Sequence, residues 1–211
     1  TLNNAVIDFG STRGIKASND DLEIDLKGEN KLTGTDNLIY LETSGKKLTI
    51  TSAEGDNGTL TLDSVSENST VYVNGDLTIA GYATVTATNG GTAQVMHSPS
   101  GNITITDHAK VIAKNTRTLE TNAHSVALLT GTYDTSSPTG TIKVEGSASL
   151  LAQGSTQALK CETFTATAQG LITEVSTNYT GANPETTYNS SSLANYKYVH
   201  VHPSTDVVKY D

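Results

Sequence analysis

The sequence predicts an all-β protein, a single-domain right-handed parallel β-helix of about six three-strand coils with a C-terminal cap. Three observations carry that expectation. Short β-type runs end repeatedly in Gly or Asn, as in "DLTIAGYATVTATNGG" at residues 76–91, which has no helical period and almost no charge. Runs of the same kind recur along the chain at a spacing of roughly 20 to 30 residues, the period of a solenoid. Only 35% of residues are hydrophobic and 17% charged, with four prolines, so the apolar residues suffice for a narrow ordered core and little more.

The first strand of each coil is read from "DLEIDL" at 21, "KKLTIT" at 46, "DLTIA" at 76, "NITIT" at 102, "TIKVE" at 141 and "ETFTA" at 162. Their first inward residues are Leu22, Leu48, Leu77, Ile103, Ile142 and Phe164, spaced by 26, 29, 26, 39 and 22 residues. The long interval contains a polar insertion, "GTYDTSSPTG" at 131–140, that can be looped out. Alternation sends the intervening Thr, Lys and Glu side chains outward, because successive strand residues point to opposite faces.

A second strand follows each first one: "KLTG" at 31, "TLTL" at 59, "TVTA" at 84, "KVIA" at 110 and "SLLA" at 149. The turn before it places Ala83, Ala109 and Ala148 in one column. The third strands are "LIYL" at 38, "TVYV" at 70, "QVMH" at 94, "SVAL" at 125 and "ALKC" at 158, and "AVIDFG" and "GIKA" fit the second and third strands of an earlier, incomplete turn. Gly and Asn end the strands because the corners need left-handed or crowded backbone. Right-handedness follows from the general preference of parallel crossovers. A β-sandwich also has short strands and many turns, but it does not require one three-strand pattern five times over.

Residues 1–176 are read as the β-helix and 177–211 as a C-terminal loop and capping strand of the same domain. The loop, "TNYTGANPETTYNSSS" at 177–192, is polar and turn-rich, and "YKYVHV" returns to β character. That strand is expected to cover the open edge of the last coil, since an uncovered solenoid end is a template for aggregation.

The repeats "LEIDLKGENKLTG", "KKLTITSAEGDNGTLTL" and "DLTIAGYATVTAT" resemble those of bacterial surface β-helix proteins often labelled carbohydrate-binding domain-containing, on a pectate-lyase-like parallel β-helix. The closing "YKYVHVHP" is similar to the final strand of secreted gut-bacterial proteins of this kind. The resemblance covers residues 5 to about 175 and implies export, an extracellular or cell-surface location and contact with a polysaccharide or cell-surface glycan. It brings no catalytic residue with it.

The chain's formal net charge of −9, with Arg13 and Arg117 its two arginines, argues against nucleic acid and anionic lipid as partners. No apolar run approaches a membrane span, and Thr1 in place of Met implies that any leader or anchor is absent from this sequence. Cys161 stands alone within an apolar strand and reads as a small core residue.

The candidate site lies on the outward side of the third strands. Counting inward residues as Ile15, Ile39, Val71, Val95, Val126 and Leu159 leaves Lys16, Tyr40, Tyr72, Met96, Ala127 and Lys160 outward. Tyr40, Tyr72 and Met96 then form the expected glycan-binding group, in which an aromatic ring lies flat against a sugar and its hydroxyl bonds the sugar's edge. The same pair also fits a ladder that only stabilises the sheet.

Other constellations are weaker. Thr-X-Thr pairs at Thr49/Thr51, Thr104/Thr106, Thr59/Thr61 and Thr84/Thr86 resemble an ice-binding plane, but Glu23, Asp25, Lys143 and Glu145 interrupt the first-strand column. His200 and His202 point to one face of a strand lined also by Tyr196 and Tyr198, with no carboxylate nearby in sequence to complete a metal-ligand set. "SAEGDNG" at 52–58 has a composition that suits calcium and equally suits a tight turn, so no cofactor is assigned. Polysaccharide lyases and hydrolases of this fold group carboxylates with a base. Here "NDD" at 19–21 is the one echo, and it reads as a turn.

The leading expectation is therefore a noncatalytic exported bacterial surface protein that contacts glycans or a neighbouring surface. The alternatives are a β-helical stalk or spacer without a ligand, and an enzyme acting on polysaccharide.

Overall fold

The computed structural model of the chain describes residues 1–117, 124–133, 138–167, 170–186 and 188–204. Residues 118–123 of the "KNTRTLETN" corner, 134–137 of the insertion and 205–211 of the expected cap lie outside the described set. The chain forms a parallel β-solenoid of about six turns with three sheets.

An incomplete first turn consists of β1 (Leu2–Asn3), β2 (Val6–Asp8) and β3 (Ile15–Ala17). Full coils follow as β4 (Leu22–Lys27), β5 (Glu29–Gly34) and β6 (Ile39–Leu41), then β7 (Leu48–Thr51), β8 (Thr59–Ser64) and β9 (Val71–Val73). Next come β10 (Leu77–Ile79), β11 (Thr84–Asn89) and β12 (Met96–Ser98), then β13 (Ile103–Ile105), β14 (Lys110–Asn115) and β15 (Val126–Thr130). The last coils are β16 (Thr141–Val144), β17 (Ser149–Gln153) and β18 (Gln157–Lys160), followed by β19 (Thr163–Ala166) and β20 (Leu171–Ser176). A 3-10 helix, Ser190–Asn195, precedes β21 (Tyr198–Pro203).

Strands of like rank stack in register. The first sheet pairs Leu22, Leu48, Leu77, Ile103, Ile142 and Phe164 in one column, the residues the repeat alignment selects. Four of them, from Leu48 to Ile142, are fully buried. The second sheet stacks Leu60, Val85, Val111 and Leu150, with Leu62, Ala87, Ala113 and Ala152 two residues on. A coil cannot exclude water from these side chains by itself, so each depends on its neighbours.

The corners explain the small residues. Ala83, Ala109 and Ala148 are buried in the turn from first to second strand. Gly81, Asp107 and Gly146 precede them with φ of 64°, 61° and 67°. The single non-glycine there, Asp107, is of a type that visits this conformation more readily than most, and its Oδ2 accepts a hydrogen bond from the amide of Gly81 in the preceding coil (2.9 Å). At the turn back to the first strand, a Cβ on Gly101 would fall inside contact distance of the Gly75 backbone.

The third sheet corrects the assumed alternation. Met96, and not Val95, pairs with Val71, and Leu128, and not Val126, pairs with Met96. Val95 and Met96 are both fully buried, as are Leu38 and Ile39, Ala127 and Leu128, and Ala158 and Leu159. Leu38 and Val95 lie at bends just before β6 and β12, so two consecutive residues turn inward on entering those strands, while Ala127 and Ala158 lie within β15 and β18 and are buried there. The outward column is therefore Lys16, Tyr40, Tyr72, His97, Leu129 and Lys160.

The same bend is held from the second-strand side by buried amides. Asn89 and Asn115 stack in register with Ser64 and have no solvent exposure. Asn89 Nδ2 donates to the carbonyls of Asn68 (2.9 Å) and Gln94 (3.2 Å), and its Oδ1 accepts from the amides of Ser66 (3.2 Å) and Gly91 (2.8 Å). Asn115 Nδ2 donates to the carbonyl of Ala93 (2.7 Å), and its Oδ1 accepts from the Arg117 amide (3.1 Å). These side chains satisfy backbone groups that the corner leaves without ladder partners, which is what buried polar groups must do.

The C-terminal strand does not lie along the outer edge as expected. β21 runs antiparallel between β17 and β20, pairing Leu150 with Val201 on one side and Val175 with Val199 on the other. β20 is thereby the edge of the eight-stranded sheet. Val199 and Val201 are fully buried, so the inserted strand supplies one more rung of core before the sheet ends. Tyr196 turns into the core beside Tyr188 instead of lining the histidine face.

Candidate ligand face on the third sheet

Tyr40 and Tyr72 sit at the centres of β6 and β9, each flanked by buried residues, and both are partly exposed. Parallel in-register pairing places their rings one above the other, with centroids 5.2 Å apart and planes inclined by 26°. The third rung is His97, whose ring meets Tyr72 edge-on at 5.4 Å and 87°. Met96, the third member of the expected glycan-binding group, is fully buried and does not reach this face.

The first rung is covered by a cation. The Arg13 guanidinium lies 4.1 Å from the centroid of Tyr40, and its Nε is 3.9 Å from Asp36 Oδ2. Asp36 Oδ1 accepts from the Asn37 amide (2.7 Å) and from Asn68 Nδ2 (2.8 Å), so one carboxylate orients several groups around the ring. Lys16 Nζ pairs with Glu42 Oε2 at 3.3 Å on the same side.

Electrostatics fix the state of two rungs. Burial raises the Tyr72 hydroxyl above its ordinary value, and neighbouring Tyr40 and Glu42 add to the shift, so the group remains a protonated donor at neutral pH. Burial lowers His97 below the usual histidine range, partly opposed by its hydrogen bond to the Gly131 carbonyl (Nε2 to O, 2.9 Å). That carbonyl can only accept, so Nε2 carries the proton and the ring is neutral at pH 7.

Together these groups border an open cleft of ≈ 290 Å³ whose lining includes Arg13, Asn37, Tyr40, Asn68, Tyr72 and His97. At its His97 end the Gly131 carbonyl, at the start of the polar insertion, accepts from the imidazole. Beyond His97, Leu129 occupies the outward column yet is fully buried, and Lys160 Nζ donates to the Tyr133 carbonyl at 2.8 Å while lying 4.6 Å from that ring's centroid.

The expected mode of contact changes with this geometry. Tyr40 has Arg13 on one face and Tyr72 on the other, so that ring is not free to lie flat beneath a sugar. What the ladder offers is a row of polar edges within a cleft, suited to hydrogen bonding of hydroxyl groups.

A second cleft, ≈ 430 Å³, lies at the corner between the first and second sheets. There Tyr82, 39% exposed, stacks on His108 with centroids 4.6 Å apart. The signal for this pair was in the aligned turns "AGYATV" and "TDHAKV", where each ring immediately precedes a columnar alanine.

The remaining candidates are placed as follows. In the "SAEGDNG" turn Asp56 pairs with Lys27 (Oδ2 to Nζ, 3.5 Å), while Glu54 lies near the Tyr82 hydroxyl, so the two acids diverge. Asp21 of "NDD" accepts from the Lys47 amide at 2.9 Å, as a turn residue does. Thr49, Thr78 and Thr104 form a ladder bounded by Glu23 and Lys143. His200 and His202 share a face with Glu174 of β20, a carboxylate brought in from 26 residues upstream. No family model, curated protein or solved structure matches this chain.

Proposed function

We propose that this chain is a noncatalytic protein exported to a bacterial surface, where the cleft beside the Tyr40–Tyr72–His97 ladder contacts a glycan. The observation that carries the reading is the convergence of one guanidinium, two tyrosines and a neutral imidazole with buried and half-buried amides in an open polar cleft. Such a set donates and accepts in several directions without a strong net charge, which suits neutral sugar hydroxyls. The likeness of the repeats to bacterial surface β-helix proteins supports export and the ligand class. Single hydrogen bonds of this kind contribute on the order of 1 kcal/mol each, so tight attachment requires several copies of the site acting together.

A second reading is favoured by the stacking itself. Rings that cover one another stabilise the sheet as an aromatic ladder does, and the chain then serves as a spacer.

A glycan array probed with the wild type, Tyr40→Phe and Tyr72→Phe separates the two. Phenylalanine keeps the stack and removes only the hydroxyl. The glycan reading expects saturable binding by the wild type and a loss of roughly 3- to 10-fold for each variant at unchanged melting temperature. Absence of saturable binding by the wild type, or equal binding by all three proteins, overturns it and leaves the spacer.

A further inference from the structure

The two histidines of the closing strand gain from tertiary structure the ligand they lack in sequence. β21 pairs antiparallel with β20 so that Glu174 stands opposite His200, with Ile172 opposite His202. Glu174 Oε2 lies 3.5 Å from His200 Nδ1 and 3.9 Å from His202 Nε2. One ligand atom from each of the three residues falls within 4.8 Å of the others. The side chains keep only 15%, 15% and 6% of their exposure for Glu174, His200 and His202.

The tautomer of His202 sharpens the point. Its Nδ1 lies 3.0 Å from the Pro203 carbonyl oxygen, which can only accept, so Nδ1 bears the proton. In the neutral ring Nε2 is then a lone pair. That atom is buried without a hydrogen-bond partner and faces a carboxylate oxygen. A buried nitrogen lone pair without a hydrogen-bond partner, facing a carboxylate oxygen where water is largely excluded, is a position a metal ion can fill. A backbone carbonyl on the far nitrogen is also the usual way a metal-binding histidine is oriented.

We propose that Glu174, His200 and His202 bind a divalent transition metal of the zinc class. The set of two imidazoles and one carboxylate is a known zinc donor set, and zinc bonds of about 2.0–2.1 Å place tetrahedral ligand atoms about 3.3 Å from one another. The two distances from Glu174 need to contract only slightly to reach that spacing, and the two imidazoles, stacked with centroids 4.5 Å apart and planes inclined by 28°, must turn to converge on the ion. The residual exposure of Glu174 and His200 leaves room for water as a fourth ligand. Bound there, the ion ties β20 to β21 and so fastens the inserted strand into the end of the second sheet.

The competing reading is an ordinary histidine–carboxylate contact that holds no metal. Titration of tag-free, chelator-stripped protein with Co²⁺ and Zn²⁺ distinguishes the two. The metal reading expects one equivalent of Co²⁺ to develop visible ligand-field absorption, Zn²⁺ to displace it, and Zn²⁺ to raise the melting temperature reversibly with EDTA. Glu174→Gln and His202→Gln should each weaken Co²⁺ binding by more than about tenfold. Absence of saturable Co²⁺ absorption by the wild type, or undiminished binding by the variants, overturns the proposal.

Discussion

Replacing Leu77 by alanine tests the register on which the whole solenoid rests. Leu77 is fully buried, with Leu48 beside it in one neighbouring coil and Ile103 in the other. The substitution removes three carbons, worth about 2.4 kcal/mol at roughly 0.8 kcal/mol per buried methylene. The stacked coils on both sides are held by their own ladders, so the site collapses little. A residual cavity of about 75 Å³ adds close to 2 kcal/mol at about 24 cal/mol per Å³. The two terms sum to an expected loss of about 4 kcal/mol, within the range of about 2–5 kcal/mol for such substitutions. The neighbouring Thr78 points outward between Thr49 and Thr104, and Thr78→Ala should change stability by no more than about 0.5 kcal/mol. Urea unfolding followed by far-ultraviolet circular dichroism measures both. Because repeat arrays can lose cooperativity, the denaturant slopes of the two variants must match the wild type before midpoints are compared. A loss below about half a kcal/mol for Leu77→Ala, or equal losses for the two variants, would refute the argument.

Two further perturbations probe the corner and the ladder. Asn89→Ala should cost about 2–5 kcal/mol in the same assay, because four backbone groups, two in buried and two in part-buried bonds, lose their side-chain partner and unsatisfied buried groups cost about 1–3 kcal/mol apiece before relaxation; a change under 1 kcal/mol would show that the turn satisfies itself without the amide. Burial depresses His97 below the ordinary histidine value of 6.5 in the folded state, so the unfolded chain binds more protons as pH falls beneath that value, and the His97 contribution to stability is present above pH 6.5 and lost as pH falls through the folded value. His97→Gln should flatten the stability–pH profile in that window, and an unchanged profile would count against a buried neutral imidazole.

The first-strand columns were legible in the sequence because each coil repeats one environment at one spacing. Leu48, Leu77 and Ile103 are equivalent residues whose inward direction follows from period-two alternation alone. The Tyr40–Tyr72 stack was legible for the same reason, since parallel coils place equivalent positions in direct register. The columnar alanines likewise mark the tight turns in the sequence itself.

Alternation failed at the bends. Val95 and Met96 both face inward because the chain changes direction between them, and that moved His97 onto the ladder in place of Met96. The recurring buried pairs Leu38–Ile39, Thr70–Val71, Val95–Met96 and Ala127–Leu128 are the signal that strict period two overlooks.

The sequence by itself determined the coil, its three strands and the outward position of two tyrosines, because these depend on local pattern repeated at nearest-neighbour distance. Only the tertiary structure decided that Arg13 covers Tyr40, that β21 inserts antiparallel between β17 and β20, and that Glu174 meets His200 and His202. Each of those joins segments that share no repeat relationship. Their pairing is set by which buried surfaces and backbone edges remain to be satisfied once the coils have stacked, a property of the assembled solenoid that no single stretch of sequence carries.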